Sequence, residues 1–175
     1  GLGGLYVFGR REYHSNIKGL HSYFHLRISR HEVLANVNEV DLLAAFDAET
    51  VVRHITEVAS RGGIIVDKEQ IDTKVLSIPT LPYEFKSELR KFMEQNKLAD
   101  NLNDFLDYAQ KSGIQHFPIP YMELLKNVGE KLGIEQMSKI TRMLNVLTIG
   151  VSFALLDYDK DLVEKAIKSV FSEKP

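Results

Sequence analysis

The chain has no cysteine. It therefore cannot form a disulfide, ligate an iron–sulfur cluster through thiolates, or build a Cys-type zinc site. Any such centre must come from a partner. There is no basic excess: 22 Lys and Arg stand against 24 Asp and Glu, for a formal net charge of -2. A sequence-independent nucleic-acid binder draws its affinity from such an excess, so nucleic acid is not an expected partner. No apolar run reaches the roughly 18 residues of a membrane span. The run Val146–Leu156 is short and carries Thr148 and Ser152. The start, Gly1-Leu2-Gly3-Gly4, lacks a charged segment followed by an apolar stretch, so no export signal is read there and the cytoplasm is the expected compartment. With 11 Gly and 5 Pro among 175 residues, and 44% hydrophobic against 26% charged residues, the composition excludes collagen-like and disordered chains. Length predicts roughly one domain, able to bury about two-thirds of its unfolded surface.

The pattern along the chain predicts an α/β fold. Leu5–Phe8 reads as a short buried strand after a glycine turn, and Arg10–Leu20 as an irregular surface loop. His21–Ser29 alternates, with Ser22, Phe24, Leu26 and Ile28 on one face and His21, Tyr23, His25 and Arg27 on the other, which predicts a strand. A second short strand is expected near Glu32–Ala35. The apolar run Val40–Phe46, the cap Asp47 and the spacing Val51, Val52, Ile55, Val58 predict strand, N-cap and amphipathic helix. Gly62-Gly63 is read as the end of that helix, with a buried strand at Ile64–Asp67. Such a crossover favours a parallel sheet covered by helices. Tyr83–Gln95 and Leu102–Ala109 predict a helical hairpin, with Asn101 or Asn103 as cap and Gly113 as stop. Ile114–Pro118 reads as an edge strand because Pro118 and Pro120 remove backbone donors. Helices are predicted at Met122–Leu132, Met137–Leu156 and Leu162–Phe171. The expected architecture is three layers, α/β/α, around a mostly parallel sheet, with residues 83–113 as a helical insertion.

Unusual polar chemistry concentrates in Arg10–Arg30. His14, His21 and His25 lie there with Arg10, Arg11, Lys18, Arg27 and Arg30, while Glu12 is the one acid, and His31 follows directly. A basic loop containing glycine presents cations and backbone N–H groups to phosphate. The alternative is a solvated charged loop beside a strand. A zinc site from His21, His25 and His31 is disfavoured, because positions four apart on a strand stand ~13 Å apart. No metal site is expected. No G-x-S-x-G elbow, Walker A loop or G-x-G-x-x-G sequence is present, so no catalytic residue is assigned. The carboxylates Asp47 and Glu49 read as a helix cap and a favourable first-turn acid.

The segment Arg11-Glu12-Tyr13-His14-Ser15-Asn16-Ile17-Lys18-Gly19-Leu20-His21-Ser22-Tyr23 closely resembles the pattern R-E-Y-x-S-N-I-K-G-x-H-S-Y. That pattern marks the gamma domain of archaeal-type 2-oxoacid:ferredoxin oxidoreductases, the N-terminal part of their alpha subunit, in the pyruvate/ketoacid ferredoxin oxidoreductase family. Lys18-Gly19 looks like the counterpart of R-G in the R-G-G of free-standing gamma subunits. Asp41–Thr50 resembles the family's D-x-L-x-x-F-D-x-E-T, Ile119–Leu125 its P-x-x-Y-x-E-L/I-L segment, and Asn145–Leu156 its N-x-x-x-x-G-x-x-x-x-L-L helix. The resemblance spans nearly the whole chain in matching order. The family's opening strand, Gly-rich loop and helix have no counterpart here, so residues 1–175 are expected to form a single gamma-type domain that lacks them.

The resemblance implies one part of an enzyme that oxidatively decarboxylates a 2-oxoacid, makes an acyl-coenzyme A and passes electrons to ferredoxin. Thiamine diphosphate with magnesium and the iron–sulfur clusters would sit in partner domains or subunits, and this chain alone would be inactive. It would cap the active site, help bind coenzyme A and assemble with those parts, with a homodimer expected. The implied coenzyme A residues are Ser15, Asn16, Lys18, Gly19, His21 and Ser22. Lys18, the Gly19 backbone and a Ser15 or Ser22 hydroxyl suit phosphate, Asn16 an amide of the pantetheine arm, and His21 an added donor. Two other readings remain: a free-standing coenzyme A or nucleotide-binding module, and a purely structural assembly domain.

Overall fold

The computed structural model describes residues 3–12, 21–134 and 140–171, and these have the α/β class read from the sequence. They fall into two compact units, residues 11–23 with 37–121, and residues 1–10 with 24–36 and 122–175.

The first unit is built on a parallel sheet. Strands β3 (Val40–Ala44), β4 (Val58–Asp67) and β5 (Gln115–Ile119) lie in the order β3-β4-β5, all parallel. Parallel neighbours need a crossover, and the first is α1 (Ala48–His54) with a 3-10 turn at Ile55–Glu57. The helix starts where Asp47 Oδ1 accepts from both Thr50 N and Thr50 Oγ1, each at 2.7 Å. The second crossover contains α2 (Tyr83–Asn96) and α3 (Leu102–Lys111). Asn101 caps α3 by accepting from Asp104 N, and Gly113 ends it at φ 88°. Pro118 sits in β5 at the sheet edge, as a residue without N–H must.

Gly62-Gly63 corrects the expectation of a helix stop, since both lie inside β4. The strand opens at Val58, beside Val40, yet Leu42 pairs with Gly63. Two steps along β3 thus match five along β4, and the surplus bulges at Arg61, whose φ is 75°. A Cβ on Gly62 would fall 2.8 Å from Ala59 O and 2.9 Å from Asp41 O. The glycine is there because backbone approaches backbone.

Ile64 and Val66 point into a core made with Val51, Val52 and Ile55 of the first crossover and Leu89 and Met93 of α2. Helix α3 adds Leu102, Phe105, Leu106 and Ala109, all at most 1% exposed. Ile65, on the other face of β4, is also fully buried. A strand buried on both faces reads as a continuous apolar run, as Ile64-Ile65-Val66 does.

The second unit holds α4 from Met122 on (Tyr121–Leu132), α5 (Leu144–Leu155) and α6 (Lys160–Phe171). Ile140 is helical and a 3-10 turn at Thr141–Met143 leads into α5, so the helix expected over Met137–Leu156 is interrupted there, and residues 135–139 are outside the described part. Thr148 is buried in α5 with its hydroxyl donating to Leu144 O, which satisfies it within the helix.

Strands β1 (Tyr6–Glu12) and β2 (Tyr23–Ser29) form a separate two-stranded sheet. The expected buried strand at Leu5–Phe8 is therefore corrected: β1 runs longer, and Tyr6 and Val7 are about half exposed. The period-two pattern of β2 holds, but Phe24, Leu26 and Ile28 are on its exposed side. Gly9 lies against Phe24 and Leu26, so the pair shows an open apolar face. No strand forms at Glu32–Ala35. There the Ala35 carbonyl accepts from Arg27 Nη1 at 2.9 Å instead of from a neighbouring strand.

Candidate functional site

Open parallel sheets place ligands beyond the carboxyl ends of their strands. Past the end of β3, Phe46, Asp47, Ala48 and Glu49 line a cavity of about 510 Å³ within the first unit. That volume is in the range of small-molecule sites. Its opposite wall comes from the turns before α2: Gln70, Thr73, Ser77, Ile78, Pro79 and Thr80. His21 and Ser22 complete it.

Glu49 is the buried charge of this wall, 8% exposed. Its Oε1 accepts from Arg53 Nε at 2.7 Å, and its Oε2 accepts from Thr80 Oγ1. Arg53 in turn lies over the Phe85 ring, 5.0 Å from its centroid. Glu49 was read as a first-turn acid; it is that, and it also ties α1 to the loop before α2.

Behind His21 runs a chain of polar groups. His21 Nε2 and His54 Nε2 are 2.8 Å apart, and His54 Nδ1 is 3.1 Å from Glu57 Oε2. His54 is buried, and the Tyr23 ring meets it edge-on at 4.6 Å. A carboxylate only accepts, so His54 Nδ1 carries a proton toward Glu57. When His54 holds that single proton, its Nε2 is bare and His21 Nε2–H donates to it. Burial lowers the His21 pKa from 6.5, and the neighbouring His54 and Arg53 lower it further against the weaker pull of Glu49 and Asp47. His21 is therefore neutral at pH 7.

This gives a pH dependence with a defined sign. The unfolded chain takes up the His21 proton at a higher pH than the folded chain, so its contribution to stability is full above pH 6.5. It is lost as pH falls through the lowered folded value. Urea midpoints should drop between pH ~7.5 and ~5.5, and His21→Gln should flatten that drop. An equal slope in the variant would remove His21 as its source.

Of the residues singled out from the sequence, the structure brings His21 and Ser22 to the cavity. Ser15, Asn16, Lys18 and Gly19 lie outside the described residues. Among the described residues no group of three or more His, Asp or Glu side chains could hold a metal ion. Sequence reasoning missed His54, Glu57 and the hydroxyls of Thr73, Ser77 and Thr80. The spacing of His54 and Glu57, three apart at a helix end, was the only local signal, and it does not show that His21 meets them.

Residues 1–175 match the pyruvate ferredoxin/flavodoxin oxidoreductase family, and the chain belongs to that family. It is 34% identical over 170 residues to the alpha subunit of 2-oxoacid:ferredoxin oxidoreductase 1 of Sulfurisphaera tokodaii, covering 97% of this chain and 27% of that one. It is 33% identical to the corresponding alpha subunit of Saccharolobus solfataricus, again over 27% of its length. The alpha subunit of 2-oxoacid:ferredoxin oxidoreductase 2 of Aeropyrum pernix is 31% identical, over 98% of this chain and 26% of that one. The chain thus spans about a quarter of the curated relatives it matches. Among the described residues no helix is long and apolar enough to cross a membrane.

Proposed function

We propose that this chain is the gamma-type part of a 2-oxoacid:ferredoxin oxidoreductase and that it helps bind coenzyme A over the active site. The family match along all 175 residues carries this reading. The chemistry is divided accordingly. Thiamine diphosphate with magnesium and the iron–sulfur clusters belong to partner domains or subunits, since this chain has no cysteine to hold a cluster. Lys18, the Gly19 backbone and the Ser15 hydroxyl take the phosphates, Asn16 reads an amide of the pantetheine arm, and His21 and Ser22, which line the cavity, complete the coenzyme A set.

Lys18→Ala tests the assignment in the purified complex, through coenzyme A-dependent reduction of a viologen dye by a panel of 2-oxoacids. A charge-assisted hydrogen bond contributes ~1.5–3 kcal/mol, so KM for coenzyme A should rise about tenfold or more with kcat little changed. An unchanged KM removes Lys18 from the site. A complex without dye reduction, iron or thiamine would remove the whole reading.

The open apolar face of β1 and β2 supports an assembly role beside this one. Val7, Phe24, Leu26 and Ile28 are each about half exposed. Contiguous apolar surface of this kind marks contact sites, and the other parts of the oxidoreductase are the proposed partners.

A further inference from the structure

Among the described residues, the hydroxyls and carboxylates that line the cavity present mainly hydrogen-bond acceptors to it. Thr50 Oγ1 donates to Asp47 Oδ1, and Thr80 Oγ1 donates to Glu49 Oε2. Ser77 Oγ donates to Lys74 O at 2.7 Å, and Thr73 Oγ1 to Gln70 Oε1 at 3.4 Å. Each of these four hydroxyls has one proton, and each spends it within the protein. What remains toward the cavity is lone pairs. The backbone N–H of Thr50 is likewise taken by Asp47.

The charges agree with the hydroxyls. Asp47 and Glu49 line the cavity, and among the described residues no Lys or Arg does. Arg53, the nearest cation to Glu49, is held in its own ion pair. His21 is neutral and gives its Nε2 to His54, which leaves Nδ1 as one more acceptor when His54 is protonated on Nδ1. Among the described lining side chains, the Gln70 amide nitrogen and the Ser22 hydroxyl are the donors that these bonds do not involve. Two carboxylates with outward lone pairs repel a phosphate, which needs donors and cations.

We propose that this cavity binds an uncharged ligand segment carrying N–H and O–H donors, and that phosphate groups are excluded from it. The inference rests on the coenzyme A reading and divides that ligand: the amide-linked arm enters the cavity, and the phosphates stay outside it.

The test uses the purified complex with two probes, pantetheine and inorganic pyrophosphate, titrated by calorimetry. Gln70 lines the cavity from a short turn, so its charge can be set either way. Gln70→Lys should weaken pantetheine about tenfold, by placing a cation among groups that must accept. Gln70→Glu should leave pantetheine binding equal or tighter. Neither variant should create pyrophosphate binding in the cavity. Hydrogen exchange of the unmodified complex gives a second readout that needs no variant: pantetheine, and not pyrophosphate, should protect residues 45–50 and 70–80. The proposal is overturned if Gln70→Lys leaves pantetheine unaffected and tightens pyrophosphate, or if those segments respond only to pyrophosphate, or to neither probe. A complex that makes no acyl-coenzyme A yet protects the cavity with pantetheine would reject the functional reading and keep the site.

Discussion

Phe105→Ala should lower stability by about 3–5 kcal/mol, the usual cost of emptying a buried aromatic site. Phe105 is 1% exposed, between Leu102 and Leu106 of α3 and the core residues of α1 and β4. Its ring also stacks on Phe92 of α2 at 6.0 Å, so its loss opens the contact between two helices. Phe92 keeps its edge contact with Tyr108 at 5.2 Å, which limits how far α2 can collapse into the gap. Small domains are stable by only ~5–15 kcal/mol, so the variant should unfold at a much lower urea concentration. Phe105→Leu should recover most of the loss. A cost below about 1 kcal/mol would mean that α2 and α3 are not packed as described.

The second large effect is expected at Glu49. Glu49→Ala deletes the acceptor of both Arg53 and Thr80 and leaves a partly buried guanidinium without its partner. Removing one member of a buried pair costs ~3–5 kcal/mol, and here less, about 2–3, because the Arg53 side chain keeps 23% of its exposure to water. Glu49→Gln retains an acceptor oxygen and should cost roughly half as much. Thermal unfolding of both variants separates the cases. Equal losses would show that the charge, rather than the hydrogen-bond geometry, holds the loop before α2.

Features set by neighbours in sequence were legible. Asp47 before an apolar helix pattern gave the start of α1, Asn101 gave the cap of α3, and Gly113 its end. The parallel sheet followed from an apolar run, a helix and a second apolar run. Features set by distant contacts were not. Gly62 reads as a helix stop until Asp41 O is seen 2.9 Å from where its Cβ would be. The alternation in β2 shows a strand, but not that its apolar side lacks a cover. His21 belongs to the motif that carries the family resemblance, while His54, 33 residues on, joins the site only in three dimensions. The acceptor character of the cavity depends on where four hydroxyl protons go, and no sequence pattern encodes that.

The bulge in β4 answers a problem that its own apolar run creates. Alternation normally fixes how a strand slides against its neighbour, because a one-residue slip would turn the apolar side outward. Ile64-Ile65-Val66 gives no such signal, since a slipped strand would still bury isoleucine or valine on both faces. The surplus residues around Arg61 act as a stop. Sliding β4 so that Arg61 took the place of Gly62 would drive a side chain against Asp41 O, which lies 2.9 Å from the Gly62 Cβ position; a slip the other way brings Gly63 there and meets no such block. One narrow point in the backbone thus selects during folding against a slip in one direction, and a chain that lost it should refold with that register admixed.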